Sequence, residues 1–100
     1  MFTIDNKYKV FFIHKKFEGE DKFLLSFIYG ISASHATLCE IKDTVLDTVV
    51  GEGMSICSTS DNFSRAEGRK RSLTRALTDS RFDKSIRTKF WTKYWSMVKS

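Results

Sequence analysis

The sequence predicts an α+β fold, a four-stranded antiparallel meander followed by two C-terminal helices (ββββαα), in one domain spanning 1–100. Aromatic and β-branched residues gather in short runs through the first 58 positions, the composition of strands. Beyond Ser58 the apolar residues recur at three- and four-residue steps, the period of a helix packed on one side. The connections between the expected strands are too short for a parallel crossover, which leaves an antiparallel meander. With 41% hydrophobic residues and nine Phe, 100 residues support a single modest core.

The first strand is expected over Tyr8–Phe17, "YKVFFIHKKF", and the second over Lys22–Gly30, "KFLLSFIYG", with "EGED" as the hairpin loop between them. The third, "ATLCEIKD" (Ala36–Asp43), turns at "TVLD" into the fourth, "TVVGEGMSICS" (Thr48–Ser58). Gly51 and Gly53 lie inside that last strand, where glycine marks a bulge or a close backbone approach; a bulge is expected. Strand alternation sets Val10 and Phe12 opposite Phe11 and Ile13, Cys39 and Ile41 opposite Glu40 and Lys42, and Met54 and Ile56 opposite Ser55 and Cys57. Part of the sheet is therefore apolar on both faces, to be covered by helices, by a partner or by a second copy of the chain.

Two helices are expected, over 60–78 and 81–98, each opened by an S-x-x-D capping box: Ser58 with Asp61, and Ser80 with Asp83. Phe63, Ala66, Leu73, Ala76 and Leu77 form the inner stripe of the first. In the second, Phe82, Ile86, Phe90, Tyr94 and Val98 form a stripe with Trp91 and Trp95 beside it, and the opposite side is basic. Gly68 in the first helix costs about 1 kcal/mol relative to Ala, a cost best explained by close packing against a strand.

Charge is distributed as unevenly as hydrophobicity. Residues 1–64 carry six Lys and nine acids, a balance of −3, whereas 65–100 carry eleven Lys or Arg and three acids, a balance of +8, giving the net +5. A basic half attracts polyanions, an acidic protein face or nucleic acid. The stretch "SRAEGRKRSLTRAL" (Ser64–Leu77) concentrates Arg65, Arg69, Lys70, Arg71 and Arg75, and Arg engages carboxylate or phosphate bidentately where Lys offers a point charge. A charge run of this kind is most often a solvated face; as a binding surface it would join Lys89 and Lys93 of the second helix. Trp91 and Trp95, one turn apart, complete the candidate set, as core residues or as interface anchors.

Signals for chemistry are weak. Cys57, at a strand-to-helix junction, has only His14 and His35 as distant candidate bases and reads as structural. His14, His35, Cys39 and Cys57 match the number of ligands in a zinc site but show neither C-x-x-C nor H-x-x-x-H spacing. The sequence contains no phosphate-binding glycine loop or nucleophile-elbow pattern. A non-enzymatic protein without metal or other cofactor is expected. With two cysteines, no apolar run near the roughly 18 residues of a membrane span, and an N-terminus "MFTIDNKYKV" without a signal-peptide core, cytoplasmic residence and no membrane association are expected.

The segment from His35 to Leu77 carries the pattern G-x-A-x-C-S-x-x-D-x-F-x-R-x-x-G-R-x-x-x-x-x-R-A-L at Gly53, Cys57, Ser58, Asp61, Phe63, Arg65, Gly68, Arg69, Arg75, Ala76 and Leu77. Here it resembles a family of small bacteriophage-encoded accessory proteins, from which it departs at Ser55 and in the longer turn "DTVLDT". The resemblance implies no catalytic residues. It implies a product that acts in a bacterial host by binding a host machine, a defence component or nucleic acid. Together with the charge distribution it leads to the expectation of an inhibitor or adaptor that engages an acidic host protein through a basic helical surface. DNA or RNA is the alternative target, and a self-assembling protein, a homodimer for instance, is the third possibility.

Overall fold

The computed structural model describes residues 1–20, 33–58 and 64–99. Among these, four antiparallel strands form one sheet in the order β1 (Phe2–Ile4), β2 (Tyr8–Lys16), β3 (Ala33–Asp43) and β4 (Thr48–Ser58). Two helices follow, α1 (Arg65–Asp79) and α2 (Lys84–Lys99). The expected α+β class and the ββββαα order are those of the structure. The membership of the sheet differs: its first strand is Phe2–Ile4, and β2 lies between β1 and β3. The strand expected at 22–30 falls outside the described residues. Asp5 and Asn6, at φ 53 and 52, make the tight turn from β1 to β2, and Lys7 N–H donates to Ile4 C=O at 3.0 Å.

Between β3 and β4, Thr44–Asp47 form the expected turn. The Asp43 carboxylate accepts the amides of Val45 and Leu46 at 2.9 and 3.0 Å, and Asp47, at φ 56, is bridged to Lys42 at 2.8 Å. Asp43 is thereby buried with its polar atoms occupied. The register shifts by one residue where Ile41 pairs with Gly51 and Lys42 with Val49, so Val50 is the extra residue and the expected bulge lies just before Gly51.

The two glycines of β4 have a second and stronger reason. Gly68, Ser72, Ala76 and Ser80 recur at four-residue steps, a narrow seam of small residues, and that seam lies on Thr37, Gly53 and Gly51. A Cβ on Gly51 would stand 2.6 Å from Ala76 O and 2.9 Å from the Ser80 Cβ. One on Gly53 would overlap the backbone at Ser72 O and Ala76 N, and one on Gly68 would overlap the Thr37 hydroxyl. Close packing thus accounts for all three, as expected for Gly68. Contact this close lets backbone dispersion replace side-chain bulk, and it positions α1 over β3 and β4.

The inner stripe of α1 is correspondingly rotated from the expected one. Ala66 is exposed, Phe63 lies outside the described residues, and Gly68 and Ser72 are buried beside Leu73, Ala76 and Leu77. α1 begins later than expected, at a box of its own: Ser64 is the N-cap, and its hydroxyl accepts Glu67 N–H at 3.3 Å. The Ser58–Asp61 box lies outside the described side chains. The Ser80–Asp83 box divides between two helices. Ser80 closes α1, its amide and hydroxyl donating to Ala76 O and Leu77 O, and Arg81 turns the chain at φ 63. Asp83 alone caps α2, its carboxylate accepting Ile86 N–H at 3.0 Å, a bond that holds the carboxyl below its usual range.

α2 lies on the same sheet face as α1, over β1 and β2, through aromatic contacts. Tyr8 meets Phe82 edge-on at 4.9 Å between centroids, Phe82 stacks on Phe90 at 5.3 Å, and Tyr94 meets Phe2 and Phe12 at 6.5 and 6.2 Å. Phe90, Val10, Cys39, Ile41 and Leu73 are fully enclosed between the layers. Val98, expected in the buried stripe, is exposed. The opposite sheet face carries the row Ile13–Leu38–Met54 in register, with Ile13 and Met54 exposed, so apolar side chains do occur on both faces.

Candidate binding surface

The seven basic residues singled out from the sequence occupy four environments, and the two Trp a further one. Lys70 and Arg71 both reach Glu67, one turn back on α1, at 3.2 Å each. Their hydrogen bonds, Lys70 first, hold the Glu67 carboxyl below its usual range. One carboxylate thus offsets part of the charge at the middle of the helix, where the sequence suggested a continuous basic stripe.

Arg75 points the other way, to the outer edge of β4, which has no further strand beside it among the described residues. Its guanidinium donates to Met54 C=O, and Asp79, one turn on, accepts Glu52 N–H at 3.1 Å. These are backbone groups that a fifth strand would use. Arg75 thus bonds the sheet edge within the chain, although its place in the basic run made it look like a contact residue.

Arg65 and Arg69 make no ion pair among the described residues. They stand near His14, on β2, which donates or accepts a 2.9 Å hydrogen bond with Thr37 through Nδ1. Partial burial, then Arg65 and Arg69, push the His14 imidazole below its ordinary value. Arg69 also lines a cleft of about 420 Å³ between the N-terminal end of α1 and the C-terminal end of α2. Phe2, Phe12, Tyr94, Met97 and Val98 supply its other, mostly apolar walls.

Lys89 and Lys93 lie on the far flank of α2, beside β1. Lys89 is bridged to Asp5 at 3.0 Å, whereas Lys93 makes no ion pair among the described residues. Both line a more open groove of about 520 Å³ between the helix and the β1 edge. The Trp pair is split: Trp91 is half-buried edge-on against Tyr94 at 5.7 Å, and Trp95, stacked on it at 6.3 Å, is 40% exposed. Met97 and Val98 are 41% and 48% exposed, so the last two turns of α2 present three large apolar side chains to solvent.

The candidate surface is therefore the C-terminal end of α2, with a mostly apolar cleft holding Arg69 on one side and a groove holding Lys89 and Lys93 on the other. Phe12 and Val98 belong to it and were missed from the sequence, Met97 belongs to it as well, and His14 adjoins it through Arg65 and Arg69. Alternation already set Val10 and Phe12 on one face of β2, and His14, two residues on, is in phase with them. Phe2 gave no comparable signal. The buried Cys39 thiol is pushed up to about 12 by desolvation and then by Glu40. Among the described residues no three His, Cys, Asp or Glu side chains converge as metal ligands, and no helix is long and apolar enough to cross a membrane. Comparison with protein-family models, curated proteins and solved structures gives no match.

Proposed function

We propose that the protein acts without catalysis, as an inhibitor or adaptor that binds an acidic protein through the end of α2 and its flanking clefts. The observation that carries this reading is that exposed Met97 and Val98 share a cleft with Arg69, beside exposed Trp95 on the same helix end, while Lys93 lines the groove on the other flank of α2. An apolar centre with a charged rim is the usual composition of a protein interface, and Trp and Arg are its usual anchors. A nucleic-acid surface requires many cations free to meet phosphates. Here Lys70, Arg71, Arg75 and Lys89 already have partners within the chain. The resemblance to bacteriophage accessory proteins supports a bacterial host cytoplasm as the setting, with a host machine or defence component as the partner.

The test is capture from bacterial lysate by tagged protein, with and without nuclease. Wild type is expected to retain a partner after nuclease treatment, and Arg69→Glu and Trp95→Ala to lose it while melting like wild type. Loss of every partner with nuclease would favour DNA or RNA and overturn the protein reading. Retention by both variants would overturn the site.

A further inference from the structure

We propose that the outer edge of β1 accepts an extended acidic peptide, added as a fifth strand in the groove beneath α2. Among the described residues β1 has a strand neighbour only on the β2 side. Ile4 C=O accepts Lys7 N–H on that inner side. Backbone groups of successive residues point to opposite edges of a strand, so Thr3 N–H and C=O point outward, into the groove. This edge differs from that of β4, where Arg75 and Asp79 occupy the outward groups. Strand addition to such an edge supplies affinity through main-chain hydrogen bonds and selectivity through alternate side chains.

The chemistry of the occupant follows from the groove wall. α2 presents Lys89, Thr92, Lys93 and Ser96 there, with Thr3 and Asp5 opposite. Lys89 and Lys93 are four residues apart on a helix, about 6 Å along its axis. Alternate residues of an added strand are about 6.6 Å apart and face the same side. A carboxylate of the peptide therefore meets the Lys93 ammonium, which makes no ion pair among the described residues, and a second at the alternate position competes with Asp5 for Lys89. Three residues of β1 offer few main-chain bonds, so the charge match is the larger part of recognition and binding is salt-sensitive.

The inference deepens the proposed function at one of its two clefts and rests on its taking an acidic protein as the ligand; it concerns the Lys93 flank of α2 and not that of Arg69. Its test is fluorescence anisotropy on the full chain with a labelled peptide alternating Val and Glu, at low salt. The peptide is expected to bind, and its Val–Lys counterpart to fail. Thr3→Pro removes an outward donor while sparing the β2-facing bonds of Phe2 and Ile4, and is expected to weaken binding at least tenfold, as is Lys93→Glu. Arg69→Glu is expected to leave peptide binding unchanged, which separates this site from the cleft on the other flank. A peptide N-methylated at alternate residues, unable to pair with the edge, provides the same test on unmodified protein. Equal binding by the methylated and unmethylated peptides, or no binding of the Val–Glu peptide, would overturn the proposal whether or not lysate capture succeeds.

Discussion

Arg75 and Asp79, one turn apart on α1, together cover the outer edge of β4: the guanidinium donates to Met54 C=O and the carboxylate accepts Glu52 N–H. The bonds are solvent-exposed, so each contributes about 1 kcal/mol at most. Their larger effect is on association, because an uncovered edge offers its amides and carbonyls to another chain. Arg75→Ala with Asp79→Ala is expected to lower stability by about 1–2 kcal/mol and to produce concentration-dependent dimers in sedimentation velocity. A double variant that stays monomeric at high concentration would show that the pair does not protect the edge.

The small-residue seam makes a sharper prediction. Gly53→Ala places a methyl inside the α1 backbone and is expected to cost about 3 kcal/mol or more, read by chemical denaturation. Gly68→Ala meets only the Thr37 side chain. It is expected to destabilise the wild type but to be neutral or favourable in a Thr37→Ala background, where a gain of about 1 kcal/mol in helix propensity remains. Additive effects in that double-mutant cycle would contradict the contact.

His14 links the site to pH. Its imidazole is held below the ordinary value of 6.5, by burial first and then by Arg65 and Arg69. The unfolded chain therefore binds a proton in a window where the folded one does not, and stability rises with pH there. This contribution is complete above the ordinary value and is lost as pH falls below it. Replacing Arg65 and Arg69 with Gln is expected to move the His14 titration upward in NMR. An unchanged midpoint would remove the two arginines from its surroundings.

Cys39 offers a test of the core. Buried between the layers, with its thiol pushed up to about 12, it is expected to react with iodoacetamide at neutral pH only after unfolding. Mass mapping of alkylation at the two cysteines reads this directly, and modification of Cys39 in native protein would contradict its enclosure.

Much of the architecture was legible because local signals coincided with tertiary ones. Thr48–Ser58 and the Thr44–Asp47 turn stand where alternation and turn chemistry put them, and the bulge adjoins Gly51. Phe2–Ile4 was not legible, since three residues carry no measurable period and the strand is held by its pairing with β2. The start of α1 was misplaced because two S-x-x-acid boxes occur in succession, Ser58–Asp61 and Ser64–Glu67, and capping geometry alone identifies Ser64. The site was the least legible part. Arg71 and Arg75 look alike in sequence, yet one is paired with Glu67 and the other covers a strand edge, while Arg69 turns into a cleft. Those differences depend on the rotation of α1 about its axis, which the Gly68–Ser72–Ala76 seam determines. The seam consists of small residues that a search for apolar stripes passes over.

The most direct test compares two arginines on one helix. Affinity for the nuclease-resistant partner, measured by titration calorimetry, is predicted to fall at least about tenfold, or 1.4 kcal/mol, for Arg69→Gln. For Arg71→Gln, whose charge Glu67 already shares, it is predicted to stay within about twofold. Equal losses for the two variants would mean that the partner reads overall charge, and would contradict recognition centred on the end of α2.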